Sequence, residues 1–502
     1  MGDQSVELTS PRGKAIFLGG GKVSPAPARS RPGYAQGGTG KKARVQRLNT
    51  EVNAMALLPG RGVRALLLSL LVVTACSTGG GTSSAPPLAG CKSGTTLVTF
   101  WTSHTPPDSD SLKTIVNAYN AQSSVACVKM VQVPGSETDI AKLTTAVRGG
   151  TGPDVYMLDR FTVAERAAAG VLEDLSQYGA SSLGSQYVDF AWAEANFKGK
   201  PYALPFDTDT RALYYNKSLL QAAGVTDLSA LDPSKGPPTI ATIKAMADKV
   251  NKKDASGKYT QVGFIPWWEQ GWHYTWGFVY GGSFFDKSAC KVTPDDPKIV
   301  QAFKDMFYDW SKALGVSQVQ TFLSTYSPPN QPAQQNMFLL GKVAFMISGD
   351  WVLGNIKTYT PNLQYGVTYI PVPNQGDQPA TWAGGWSDVI PKGAKHPKEA
   401  YDFLKYIAGE PGQRQYVKDT QHTPVIKSLD QDTSLFPGDH QFFQKQLSAA
   451  HSRPPLPVGA FYWDQLSTAQ DASVRNTQQP QAALSAAATA TNDKLKQYCP
   501  LA

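Results

Sequence analysis

From residue 96 onward the chain alternates between two hydrophobic periods, and that alternation limits the folds open to it. TLVTFW (96–101) is apolar and β-branched, SLKTIVNAYNAQ (111–122) places apolar residues three and four apart, and VKMVQV (128–133) is again a strand. A helix over 137–149 and a strand DVYML (154–158) follow. Strands joined through a helix cannot pair as hairpins; the crossover sets them parallel, with helices on the sheet faces. The pattern returns as helix 243–253, strand QVGFI (261–265), helix 298–314, strand KVAFMI (342–347) and helix 398–409. It predicts an α/β protein, and residues 76–502 are long enough for two lobes with separate cores. Pro-rich breaks at 232–238 and 327–332 read as surface loops.

Ahead of this pattern lies RGVRALLLSLLVVTAC (61–76). Arg61 and Arg64 form a positive n-region, Ala65–Val73 is apolar but too short to span a membrane, and small residues precede Cys76. The stretch resembles a bacterial lipoprotein signal. That resemblance implies a signal peptide over 55–75, cleavage before Cys76, acylation of its thiol, and a flexible linker over 76–91. More than one acyl chain is needed for durable anchoring. The rest of the chain is then expected on the extracytoplasmic side of the cell membrane, in the periplasm or at the cell exterior, held by the lipid alone. Segment 1–54 is poor in large apolar residues and is expected to be disordered. It precedes an otherwise well-proportioned signal, which points to Met55 as the true start.

Residues 1–75 hold 11 Lys and Arg against 3 Asp and Glu, so the net charge of +8 resides there. Residues 76–502 carry 36 of each and are neutral overall. They offer no excess of positive charge to neutralise phosphates, which argues against nucleic acid as a partner. With Cys76 acylated, four cysteines remain, an even number in an exported chain, with three connectivities open. Cys91 precedes the first strand and Cys127 lies in the second, which favours Cys91–Cys127, with Cys290–Cys499 as the other pair. The six His show no HExxH spacing, and no CxxC, GxSxG or Walker motif follows a strand, so no metal or cofactor is expected.

Aromatic residues concentrate near turns. Trp267, Trp268, Trp272 and Trp276 fall close together, and Trp351, Trp382, Trp386 and Trp463 each sit near Gly, Asp or a strand end. Sugars present apolar C–H faces and a rim of hydroxyls, so a fitting site combines flat rings with Asp, Glu and Arg side chains. Any one of these indoles could equally fill a core. As a set beside Asp159-Arg160, Asp207-Thr208-Asp209 and Glu269, they point to carbohydrate.

Several strings, in order, then carry a family resemblance. These are TFW in the first strand, GTGPDVYMLDRF (150–161), GKPYALPFDTDTRALYYNK (199–217), FLLGKVAFMISGDW (338–351), YGVTYIPVP (365–373), AGGWSDVIPKGAKHPKEAYDFLKYI (383–407) and TPVIKS (423–428). From about residue 95 to 498 the chain resembles the extracellular solute-binding proteins of ABC importers, in the class that includes maltodextrin receptors. The resemblance implies the type II periplasmic-binding-protein fold, a monomer of two lobes joined by crossover hinge segments that closes on one sugar and delivers it to a membrane permease. It places the first lobe at 92–208 and 377–429 and the second at 209–376 and 430–502.

It also implies a ligand-binding set. Asp159-Arg160 stands where an Asp-Arg pair bonds sugar hydroxyls. Asp207, Asp209 and Arg211 lie in the first crossover, Glu269 and Trp272 stand before the Gly-Gly turn, and Trp351 falls on a stacking position where Asp350 replaces a frequent Pro. Gly385-Trp386 follows a pattern of other sugar receptors, and either Tyr462 or Trp463 matches an aromatic of the late helix. Trp101, Ser103 and His104 occupy the end of the first strand and its loop, where maltodextrin receptors carry an Asp-Lys pair. Leu158 replaces their Trp before Asp159. These departures favour a shorter sugar over a long α-glucan. A secreted glycosidase using Asp207, Asp209 or Glu269, with the carboxylate spacing such enzymes need, is the rival from another class. The same fold holding a polyamine is a third reading.

Overall fold

The computed structural model describes residues 90–133, 140–329 and 331–501. The signal-like segment, Cys76, most of the linker, segment 1–54 and the start of the helix expected at 137 lie outside the described residues. The expected opening pattern is there otherwise. Strand Thr96–Thr102 pairs in parallel with Ala126–Gln132 along its whole length and with Val155–Asp159 at its end. Helix Asp108–Gln122 makes the first crossover, burying Leu112, Ile115, Val116 and Tyr119, the apolar stripe of its sequence. Helix Ile140–Arg148 makes the second.

The first sheet has five strands, in the order Ala126–Gln132, Thr96–Thr102, Val155–Asp159, Trp386–Val389 and Leu204–Pro205. Trp386–Val389 runs antiparallel to both its neighbours. It arrives from far along the chain, so this sheet is closed by a segment that has already visited the other lobe. Phe100, Leu112, Ile115, Phe403, Leu404 and Ile407 belong to its core.

The second lobe corrects the expectation of parallel pairing. Its sheet sets Arg211–Asn216 between Phe345–Gly349 and Tyr365–Thr368, antiparallel to both. The outer two strands, linked through helix Trp351–Tyr359, are parallel to each other as the alternation requires, but the crossover strand is inserted between them. All six residues of that inserted strand are buried. QVGFI is a second correction. The strand there is Tyr259–Gln261, followed by a single bridge from Val262 to Val343. A Cβ on Gly263 would lie 2.1 Å from the Ala247 carbonyl oxygen, so the backbone passes directly against helix Ile240–Val250. Phe264 and Ile265 are buried as an apolar loop, which a short apolar run cannot announce.

Disulfides join Cys91 to Cys127 and Cys290 to Cys499, the favoured connectivity. Among the described residues no helix is long and apolar enough to cross a membrane. The bridges yield a first prediction. Peptide mapping without reductant should link Cys91 to Cys127 and Cys290 to Cys499. Replacing Cys91 and Cys127 together by Ser should lower stability in urea by about 2–4 kcal/mol, the usual cost of losing a bridge.

Candidate functional site

The crossover passage Asp207–Arg211 and the turn Gly384-Gly385 run side by side between the two lobes. Arg160 pins them together. Its Nε donates to Glu194 at 2.7 Å, Nη1 to the Asp207 carbonyl at 2.5 Å, and Nη2 to the Gly384 carbonyl. The guanidinium is fully buried, and each of its three nitrogens donates to protein. Gly385 adopts φ +125°, and a Cβ there would fall 2.3 Å from the Asp207 carbonyl oxygen and 2.6 Å from Arg160 Nη1. Only glycine fits. The carboxylates of the crossover hold the same turn from the other side: Asp207 accepts from the Trp386 amide at 2.6 Å, and Asp209 from the Gly384 amide at 2.7 Å.

A cavity of about 420 Å³ opens over this junction, within the roughly 300–1,000 Å³ of small-molecule sites. The loop after the first strand contributes Ser103, His104 and Thr105, helix Asp108–Gln122 contributes its first residue, Asp108, and Asp159 ends the third strand. Asp209, Arg211, Gln270, Trp272, Trp351 and Trp463 enter from crossover and second-lobe elements, and Trp382, Gly385 and Trp386 come with the returning strand. His422 and Arg453 complete the wall.

Two ion pairs organise the charge. Arg453 grips both oxygens of Asp159, at 2.6 and 3.2 Å, while its guanidinium lies 3.8 Å over Phe161 and 4.9 Å over Trp382. Arg211 pairs with Asp209, and its guanidinium lies 3.5 Å from the centroid of the Trp382 ring. Each arginine is thus matched by an aspartate and packed on aromatic rings, an arrangement that keeps a buried guanidinium paired and stacked. His104 and His422 are each pushed down to about 3, chiefly by burial, and are neutral at pH 7. Burial raises the Asp108 carboxyl to about 7 and holds that of Asp207 well above the ordinary range.

The indoles are set by equally specific contacts. Asp350 caps helix Trp351–Tyr359 through the Trp351 amide and accepts from the amide and hydroxyl of Thr423 at 3.1 and 2.7 Å. Gly349 makes room for the ring, since a Cβ there would fall 1.9 Å from Trp351 Cζ3. The Trp351 ring stacks near His422, with centroids 5.7 Å apart, and Trp386 meets the His104 ring at 4.3 Å.

Of the residues expected in the site, Ser103, His104, Asp159, Asp209, Arg211, Trp272, Trp351, Gly385, Trp386 and Trp463 line this cavity. Five do not. Trp101 alternates with the fully buried Phe100 and Thr102 and lies on the opposite face of its strand. Arg160 and Asp207 hold the junction beneath the cavity. Glu269 accepts from Asn336 at 2.8 Å, leaving Gln270 to face inward. Tyr462 is buried in the second-lobe core with its hydroxyl on the Phe284 carbonyl. Sequence reasoning flagged Trp382 among the indoles without placing it in the site. It missed Thr105, Asp108, Gln270, His422 and Arg453. The HSRPP turn around Arg453 carries no periodic signal; only the fold brings it to Asp159.

Three other cavities are larger, about 1090, 460 and 680 Å³, the last an open trough of Ser, Thr and Gln side chains with Arg475. In the first, Asp305 already accepts from Tyr280 and Gln301, and Asp309 pairs with Lys304. The second is walled largely by Phe and Pro. None of the three joins carboxylates, guanidiniums and indoles as the junction does.

A two-lobed α/β frame with a polar, aromatic cavity at the lobe junction defines a class of binding proteins. Residues 106–414 match the family described as bacterial extracellular solute-binding protein, and the chain belongs to it. It is 25% identical over 357 residues to the maltotriose-binding protein of Pyrococcus abyssi, covering 69% of this chain and 70% of that protein. Among solved structures it resembles CpMnBP1 with mannobiose bound, at TM-score 0.70 and 27% identity over 79% of this chain and 99% of the other. The GacH receptor of Streptomyces glaucescens, solved unliganded and with acarbose, gives TM-score 0.64 at 25% identity over 80% and 99%.

The pinning of the junction is open to test. Arg160→Gln leaves Glu194 buried without its cation and should cost about 3–5 kcal/mol in urea unfolding. Adding Glu194→Gln to that variant should recover part of the loss.

Proposed function

We propose that this chain is the receptor of an ABC importer, binding a mono- or oligosaccharide between its lobes and passing it to the permease without chemical change. The observation that carries the reading is the cavity itself, in which five indoles surround two Asp–Arg pairs. Indole faces suit the apolar side of a pyranose ring, and carboxylates already oriented by arginine can accept hydroxyl hydrogens at little further ordering cost. Each arginine in the wall has its aspartate, and burial raises the one further carboxyl there, Asp108, to about 7, so the cavity sets no strong field of one sign. That suits an uncharged ligand and disfavours a polyamine, which would need uncompensated carboxylates. The names of the maltotriose and mannobiose proteins agree with this class of ligand. Asp207 and Glu269, the acids a hydrolase would most readily use, are committed to a backbone amide and to Asn336.

Thermal-shift screening should find the ligand among glucose, mannose, galactose, N-acetylglucosamine and their di- to tetrasaccharides, since a ligand bound only by the folded state raises Tm. Trp386→Ala should then weaken calorimetric affinity at least roughly thirtyfold, the scale of a binding hot spot. A melting point lowered with affinity retained would make Trp386 a packing residue instead. The anchor belongs to the same reading. Cys76→Ser should release the protein from membranes and abolish incorporation of labelled fatty acid, and continued membrane retention of this variant would show that another segment holds it.

A further inference from the structure

The cavity of about 460 Å³ has the size of a small-molecule site and shares no wall residue with the junction cavity. The hairpin Asn196–Pro201 and segments 283–287 and 452–456 all contribute to it. Ser452 and Pro454 line this cavity, whereas Arg453 between them lines the junction. Phe197, Phe278, Phe284, Phe285, Pro455 and Leu456 make the wall predominantly apolar. Its charged groups are Lys198 and Lys287, both exposed, and no Asp or Glu stands with them.

Neither lysine is compensated. Among the described residues neither is ion-paired, whereas Lys200, two positions after Lys198, is held by Asp174 at 2.7 Å. Asp286, the acid next to Lys287, accepts from Ser288 and the Ala289 amide instead. The hairpin also holds Lys198 against its own preference. Lys198 and Gly199 are the central residues of a two-residue turn, both left-handed at φ 50° and 72°, where Asn-Gly is the favoured pair.

We infer that this cavity binds a small amphipathic carboxylate, its apolar body laid against the phenylalanine and proline walls and its anionic end held by Lys198 and Lys287. The body gains by leaving water, and the two ammonium groups select the sign of the head. A sugar would meet no indole and no carboxylate here. The site is therefore independent of the receptor reading.

Decanoate, 1-decanol and decyltrimethylammonium serve as probes, since they share one chain and differ in the charge of the head. Each is titrated calorimetrically, below its micelle concentration, with the full chain carrying Cys76→Ser, so that no lipid of the protein's own competes. Decanoate should bind at least about tenfold more tightly than decanol, and the cation more weakly than either. Lys198→Asn gives the turn a residue it favours and should hold or raise the melting temperature. With Lys287→Gln added, decanoate should fall to within about twofold of decanol, while decanol keeps its wild-type affinity. Lys198→Asn alone should weaken decanoate by about threefold or more, which decides the matter if the double variant does not fold. Three results overturn the site: no binding of decanoate, a decanol or decyltrimethylammonium affinity equal to that of decanoate, or a preference for decanoate undiminished in the folded variants. None of them bears on the sugar screen, so the receptor reading stands or falls separately.

Discussion

The Arg160 guanidinium ties together the segments on which the site is built. It spends its donors on Glu194, on the backbone of the outgoing crossover at Asp207, and on the backbone of the returning turn at Gly384. Two passages between the lobes are thereby held at a fixed separation. Gly385 can enter that separation because it has no side chain. Trp386 follows at once, and the amide that Asp207 accepts from is its own. The position of the ring is therefore set by backbone hydrogen bonds beneath it, where a ligand need not reach.

Above this junction the protein meets a recurring difficulty of buried recognition sites. Carboxylates and guanidiniums are useful to a sugar only when partly withdrawn from water, yet each unpaired charge so withdrawn is costly. The wall resolves this by pairing Asp159 with Arg453 and Asp209 with Arg211 before any ligand arrives, and by laying both guanidiniums over aromatic rings. Trp382 serves both arginines. It sits at the centre of the charge arrangement rather than only among the apolar surfaces.

The alternating periods announced the crossovers of the first sheet, because a buried helix face and a buried strand leave local signatures. In the second sheet they announced Phe345–Gly349 but not its parallel companion Tyr365–Thr368. The strand inserted between them, Arg211–Asn216, comes from the crossover, and its pairing is a long-range fact that no local window contains. The site shows the same division. Asp159, Trp351 and Trp386 stand beside Gly, Pro and Asp in strings that can be read from the chain. Arg453 and His422 stand in short turns without pattern and join the wall only when strands 381–383 and 450–452 pair and the turn after residue 420 folds back.

Arg160 shows what the chain alone leaves open. A resemblance of strings makes it a sugar contact, and its neighbour Asp159 does line the cavity. Consecutive residues at a strand end point in different directions, so adjacency in sequence places one in the wall and the other beneath it. By itself the sequence determined the α/β class, the two lobes, the disulfide pairs it favoured and most of the indoles, because burial period, cysteine placement and aromatic composition are carried residue by residue. Only the tertiary structure decided which charged groups face the cavity and which hold it together. That choice depends on partners such as Glu194, Gly384 and Arg453, which lie far away along the chain and close in space.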